Sequence, residues 1–472
     1  MVSFLAPCGR AADFSGPARE MRTQLAEKIL PYWFDTAQDT NRGGYLLADD
    51  AVQDRQLATE KQIVTQTRMV WGFSRAHLAG FSSTNRNYLR AAAQGYHFLL
   101  DHFLDQQNGG YFWSSDLKGK PVNDGKFLYG ESFMIYAFVE YHRASGDPEA
   151  LRHALDLYHT VQAHVHDDKN GGWFEHADRN WKLLSPGDPQ DPVEIIGCKS
   201  ANAHLHWMEA LTELYDASHD PAVKVSLEEA LRLDKLYFYP AKPGRCAFFR
   251  WPDWKRVTGP GEDGLSYGHN VEFAWLMLRA DAVLGREPSW ARFYALVDHA
   301  LKYGGDAEHG GLYSKGLDDQ PASDTEKVWW IQAEWLGALT DALKHQRDPR
   351  YETALSQLLE FIRSKQTDPK TGVWLWSVTA DGRPKDTTLA NSWKANYHDV
   401  RGMLKFVEAF SAPRPYFNHT TAVIAETNPA VYVTGEMARP GRYAWSNGLT
   451  LADAINLAGG FTGEPTVAEP CD

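Results

Sequence analysis

The 472-residue sequence predicts an all-α fold, an (α/α)6 barrel of six helix-pair repeats over residues 1–412, followed by a small α+β appendage over 413–472. Three observations predict it. A glycine–aromatic turn recurs at near-constant spacing, helical periodicity fills the intervals, and the pattern changes character near Pro413.

The turn reads Asn41-Arg-Gly-Gly-Tyr45, Asn108-Gly-Gly-Tyr111, Asn170-Gly-Gly-Trp173, His309-Gly-Gly-Leu-Tyr313 and Lys370-Thr-Gly-Val-Trp374. Its leading glycines, 43, 109, 171, 310 and 372, are separated by 66, 62, 139 and 62 residues. The long gap spans two periods, and Gly244 in Pro243-Gly-Arg-Cys-Ala-Phe-Phe249 divides it into 73 and 66. Six copies of a unit of about 65 residues mark a repeat architecture. Apolar periodicity predicts helices over Phe127–Arg143, Ala201–Ala217, Val271–Leu284, Val328–His345 and Trp393–Phe410, with a further helix opening at Pro148, where proline suits a first turn. Two helices per period give a closed ring of inner and outer helices, although the period alone is shared with an open solenoid. Beyond Pro413, Ala430–Ala444 reads as strand, Pro-Gly turn, strand, and Thr450–Gly460 as a Thr-capped helix stopped by glycine.

Composition narrows the function classes. Lys and Arg total 48 against 61 Asp and Glu, a net charge of −13, which disfavours nucleic acid and anionic membrane as partners. Without an apolar run of about 18 residues, no membrane span is expected. Met1–Arg10 lacks a basic stretch followed by an apolar one, and the four cysteines have no CxxC spacing. The expectation is a cytoplasmic protein with free thiols. Aromatic residues reach 13%, a level that suits either a carbohydrate site or a large helical-barrel core.

Several segments carry chemistry-bearing side chains. In Ser200–Ala210, Asn202 and His206 are four apart and share a helix face; catalytic and packing roles for His206 stay equally open, and His204 reads as a packing or surface residue. In Ser266–Leu276, His269 and Glu272 are three apart at a helix start, a spacing that raises an imidazole pKa and fixes its tautomer, or that only caps the helix. In Ser392–Arg401, Trp393 and His398 sit where a polar ligand or a closing helix would place them. Arg68 either holds ligand oxygens or pairs with an acid such as Glu334; Tyr129 and Trp330 either stack on a sugar or fill the core. No phosphate cradle, GxSxG elbow or HExxH is present, and the histidines do not pair with carboxylates in metal-ligand fashion, so neither cofactor nor metal is expected.

The segments Arg68–Ala76, Asn202–Ala210, Tyr267–Glu272, Trp329–Glu334 and Trp393–Arg401, in this order over roughly residues 20 to 412, resemble the N-acylglucosamine 2-epimerase superfamily, in its cellobiose 2-epimerase and mannose epimerase–isomerase branch. The resemblance implies an (α/α)6 barrel and a sugar substrate. It implies proton-transfer histidines at His269 and His398, a further active-site histidine at His206, and substrate-holding residues Arg68, Tyr129, Asn202, Glu272, Trp330 and Trp393. The implied reaction is metal-free 2-epimerisation of a glucose- or mannose-type aldose, or of the reducing end of a disaccharide, through a cis-enediolate; the alternative is aldose–ketose isomerisation of the mannose-to-fructose type. Ile331 stands where the family has proline, and Tyr129-Gly-Glu-Ser-Phe133 where it has Tyr-Asn-Gln-Ala-Phe. A glycoside hydrolase would need two flanking carboxylates, whereas the motif positions here are mostly histidines. A non-catalytic glycan-binding barrel fits less well with three intact histidines. The segments Val431–Tyr443 and Leu451–Gly460 resemble an SLBB-type soluble-ligand-binding β-grasp unit, which implies contact with a glycan or a polysaccharide assembly. The oligomeric state and the individual sugar are not encoded in any motif.

Overall fold

The structure, a computed structural model, describes residues 12–53, 58–188, 195–258 and 264–411, together with the backbone of Ala430–Val433 and Gly441–Ala444. The chain divides into two compact units, Met1–Phe410 and Ser411–Asp472.

The first unit is a ring of helices. In chain order these are α1 (Ser15–Gln24), α2 (Leu30–Ala37), α3 (Ile63–Leu78), α4 (Tyr88–His102), α5 (Leu128–Ser145), α6 (Pro148–Val165), α7 (Ala201–Ser218), α8 (Pro221–Leu233), α9 (Tyr267–Val283), α10 (Trp290–His299), α11 (Trp329–His345), α12 (Pro349–Phe361) and α13 (His398–Phe410). The odd-numbered helices from α3 to α13 form the inner ring, each packing on the next from α3 round to α13. Each of α4, α6, α8, α10 and α12 covers the inner helix before it, and α1 covers α13. The amino-terminal helix therefore completes the last pair and closes the ring. Residues 49–50 add to this closure by pairing antiparallel with 388–390 of the last repeat. An open solenoid is thereby ruled out.

Sequence explains the division of labour. Inner α5 is buried from Leu128 to Tyr141, all the way round, because it faces both the outer ring and the barrel interior. Outer helices α6, α8 and α12 keep polar outer faces and open on Asp-Pro, with Asp147, Asp220 and Asp348 accepting the first free amides and proline at the first helical position. Helix α9 begins at Tyr267, four residues earlier than periodicity predicts, because Ser266 caps it by accepting the His269 amide. Helix α13 begins at His398, five residues late. Asn391 Oδ1 accepts the amides of Trp393 and Lys394 and holds that stretch as a turn.

Five of the six expected glycine turns are alike. Gly43, Gly109, Gly171, Gly310 and Gly372 have φ between 71° and 84°, a region where a Cβ is strained, and each turn closes an antiparallel bridge to its aromatic or Leu312. The sixth copy is not of this kind: Pro243–Arg245 is a 3-10 turn, and Gly244 lies outside the positive-φ set. Each true turn starts with an aspartate four residues ahead of the glycine. Asp39, Asp167 and Asp306 are each met by a fully buried lysine, Lys61, Lys199 and Lys327, which lies two residues before an inner helix and also bonds the turn's carbonyl. The turn is locked from the other side by the fourth residue of an inner helix. Gln66, Glu131, His204 and Gln332 accept the amides of Tyr45, Tyr111, Trp173 and Leu312. His204 is thus a buried structural residue. These braces fix the starts of α3, α5, α7 and α11, which is where the site lies.

In the second unit, Ala430–Val433 pairs antiparallel with Gly441–Ala444, the two strands expected. The helix expected over Thr450–Gly460 lies outside the described residues.

Candidate active site

Helical register brings the site together. Tyr129, Asn202 and Trp330 are the second residues of α5, α7 and α11; Arg68, His206, Glu272 and Glu334 are the sixth residues of α3, α7, α9 and α11. Positions four apart share a helix face, so parallel inner helices aim these side chains at one mouth of the barrel. A cavity of about 350 Å³ there is lined by Arg68, Tyr129, Asn202, His206, His269, Glu272, Trp330, Trp393 and His398, all nine sequence-predicted residues, together with Trp329 and Trp376. Gly268, second in α9, leaves room for the indole: a Cβ there would lie 2.6 Å from Trp330 and 2.7 Å from Ile331. The departures at Gly130, Glu131 and Ser132 do not line the cavity.

Each histidine is held by specific partners. His398 Nδ1 lies 2.7 Å from Glu334 Oε1 and His206 Nδ1 lies 2.8 Å from Glu209 Oε2. A carboxylate only accepts, so both Nδ1 atoms carry hydrogen and both Nε2 atoms keep a lone pair. His269 is arranged the other way. Its Nε2 lies 3.2 Å from Asn202 Oδ1 and its Nδ1 2.8 Å from Ser266 Oγ. With the amide oxygen as acceptor, Nε2 carries the hydrogen and the Ser266 hydroxyl donates to Nδ1. Burial depresses all three imidazoles, His269 to about 3, so each is neutral at pH 7.

The expected pairing of His269 with Glu272 does not form. Glu272 turns beneath the cavity onto Arg401, where a cation in a water-poor site outcompetes a neutral imidazole. The predicted rise in the His269 pKa is accordingly reversed. Arg68 likewise does not pair with Glu334. Its guanidinium donates to the Trp393 carbonyl at 2.7 Å and the Tyr129 hydroxyl at 2.9 Å, and lies over the Phe133 ring. Among the described residues no carboxylate lies in ion-pair range of Arg68.

The floor of the cavity was not legible as a site. Arg401 pairs with Glu209, Glu272 and Glu334, so one guanidinium orients both carboxylates that hold His206 and His398. Trp275 donates to Glu334 Oε2 at 3.0 Å, and Tyr397 donates to Glu209 at 3.1 Å. Burial pushes Glu334 up, but Arg401 and His398 pull it down to about 2. Glu272, buried beside Glu334, is pushed well up. Glu272, Glu334 and His398 would satisfy the spacing of a metal-ligand trio, but the Arg401 guanidinium already lies against both carboxylates, a donor set poorly suited to a cation.

Residues 23–401 match the N-acylglucosamine 2-epimerase family. The chain belongs to that family. A cellobiose 2-epimerase of Bacteroides fragilis is 30% identical over 81% of this chain and 96% of its own. A D-mannose isomerase of Marinomonas mediterranea is 26% identical over 82% of this chain and 97% of its own. The solved structure of the Bacillus thermoamylovorans cellobiose 2-epimerase superposes with a TM-score of 0.75 at 28% identity, covering 83% of this chain and 99% of that one. Membership makes the chain a carbohydrate epimerase or isomerase with the family's (α/α)6 barrel. Residues 430–468 match the SLBB domain. Among the described residues no helix is long and apolar enough to cross a membrane.

Proposed function

We propose that the chain is a sugar 2-epimerase that acts on a glucose- or mannose-type aldose, or on that unit at the reducing end of a disaccharide, through histidine-mediated proton transfer at C2. One observation carries the reading: His398 and His269 line the same cavity with opposite tautomers, one offering a lone pair and the other a hydrogen.

The ring-opened aldose has an acidic C2–H only because C2 is α to the aldehyde. His398 Nε2 takes that proton, and the C–H electron pair forms a C1–C2 double bond as negative charge moves to O1. The negative O1 of the cis-enediolate then lies against the Arg68 guanidinium, a donor fixed before the charge develops, while the O2 hydroxyl donates to His206 Nε2. His269 Nε2–H protonates the other face of C2, the carbonyl re-forms, the inverted sugar closes, and the imidazolate left at His269 takes a proton from solvent. His398 leaves as imidazolium, stabilised by Glu334, and exchanges its proton with solvent. Trp330 and Trp393 supply stacking faces for the sugar.

A disaccharide is supported by a second cavity of about 500 Å³ that adjoins the first through His269, Trp330 and Trp376. Isomerisation uses the same enediolate with reprotonation at C1, and similarity to a D-mannose isomerase supports that second reading. We further propose that the SLBB tail contacts a glycan or polysaccharide-assembly partner, on the strength of its domain match. NMR of product mixtures from glucose, mannose, fructose, cellobiose and N-acetylglucosamine tests the catalytic reading. Epimer pairs at C2 are expected; ketose as sole product overturns epimerisation in favour of isomerisation, and no conversion of any of the five overturns both.

A further inference from the structure

The inner helices that aim their second and sixth residues at the catalytic mouth aim their ninth, thirteenth and sixteenth at the other. There a separate cavity of about 670 Å³, nearly twice the catalytic one, opens between the C-terminal halves of α3, α5, α7, α9 and α11. Its lining combines two features. Aromatic walls come from Trp71 and Tyr136, stacked on each other with centroids 5.6 Å apart, and from Trp275 and Trp290. Four cations and four carboxylates lie among the lining residues, and Arg75 also meets Glu408, outside the lining, at 2.7 Å. Arg143 and Arg279 share Glu213 and Asp216 at 2.7–3.0 Å, Lys405 meets Asp341 at 2.8 Å, and Arg75 faces Glu140 at 3.8 Å.

This chemistry selects a ligand class. A net anion or cation would break pairs already made and strand a counter-charge. A neutral polyol needs both donors and acceptors, which paired guanidinium and carboxylate groups still offer through their spare hydrogens and lone pairs. Apolar faces of a sugar ring match indole and phenol walls. Unused bonding capacity is present as well. The indole N–H of Trp71 and Oε1 of Glu140 have no hydrogen-bond partner, although both side chains are about 95% buried.

We infer that the cavity at the mouth opposite the catalytic one is a second binding site, for a neutral mono- or disaccharide. The site touches the catalytic floor. Trp275 lines it and donates to Glu334 Oε2, while Glu334 Oε1 holds His398. Occupancy thus reaches the proposed base through two hydrogen bonds.

Indole-resolved NMR of the full chain, labelled with ¹⁵N-tryptophan and carrying His398→Asn to prevent turnover, tests the site with glucose, mannose and cellobiose as probes. Trp290 reports the opposite mouth and Trp330 the catalytic one. Saturable shifts of both are expected with at least one sugar. Arg279→Gln or, as an independent variant on another helix, Asp341→Asn should abolish the Trp290 shift and leave that of Trp330. Movement of Trp330 alone, or a Trp290 shift that survives both folded variants, overturns the inference. Saturable movement of Trp290 without Trp330 supports it even where the catalytic reading fails.

Discussion

Replacing Glu334 with Gln tests whether the floor carboxylate sets the chemistry of His398. Glu334 accepts from His398 Nδ1 at 2.7 Å, from Arg401 at 2.8 Å and from Trp275 at 3.0 Å. Glutamine offers one oxygen and one NH2. If the oxygen stays with His398 and Arg401, the NH2 confronts the Trp275 N–H; if the group flips, it confronts Arg401, a cation that cannot release a proton. The first orientation is therefore adopted, and the tautomer of His398 survives. Two losses follow. An unmatched buried donor costs about 1–3 kcal/mol. The imidazolium formed during turnover exchanges a charge-assisted bond for a neutral one, about 1 kcal/mol more. The unmatched donor is felt equally in the ground and transition states and lowers stability, whereas the lost charge-assisted bond adds about 1 kcal/mol to the barrier and lowers kcat by about fivefold. KM should change by less than about threefold, because Glu334 makes no contact that a bound sugar would share. The assay is the rate of solvent-deuterium incorporation at C2 by proton NMR, with circular dichroism to verify folding. A folded Glu334→Gln enzyme exchanging within about threefold of wild type would refute the reasoning.

Four further outcomes are expected. His269→Asn should stop epimerisation by about 10²- to 10⁴-fold, as for loss of a general acid, while His398 still exchanges the C2 proton of the starting sugar; simultaneous loss of that exchange contradicts the division of roles. Burial holds the His398 pKa well below its ordinary 6.5, so kcat/KM should stay flat as pH falls through 6.5 and drop only when the depressed pKa is reached; an acidic limb at or above 6.5 contradicts this. Gly268→Ala, whose Cβ would lie 2.6 Å from Trp330, should raise KM several-fold with a smaller effect on kcat, measured by steady-state kinetics. Asp306→Asn leaves Lys327 buried without its counter-charge and should destabilise the barrel by about 3–5 kcal/mol in denaturant unfolding.

The sequence made the ring legible because the glycine turn demands positive φ in five of its repeats, and the same demand recurs at a readable period. It made the upper site legible because the residues at the second and sixth helical positions sit in motifs. The brace aspartates and lysines were equally periodic, at four residues before each glycine and two before an inner helix, but a charged pair reads as surface until burial is known. Glu209 and Arg401 escaped for a related reason. They lie 192 residues apart, and only closure of the ring, which brings Arg401 of α13 within reach of side chains from α7, α9 and α11, makes one guanidinium answer three carboxylates. The His269–Glu272 pairing failed on the same account: spacing of three permits contact, but a buried cation nearby decides which partner the carboxylate takes. The Gly244 copy shows the opposite limit, a glycine in the right place whose turn has changed type.

The most direct test of the two-histidine account is incubation of the wild-type chain with cellobiose, glucose and mannose, each in heavy water, followed by NMR of the recovered sugars. The account predicts a C2 epimer bearing one deuterium at C2 from at least one of them. Epimer recovered with hydrogen at C2, or no exchange at C2 of any of the three, would contradict it.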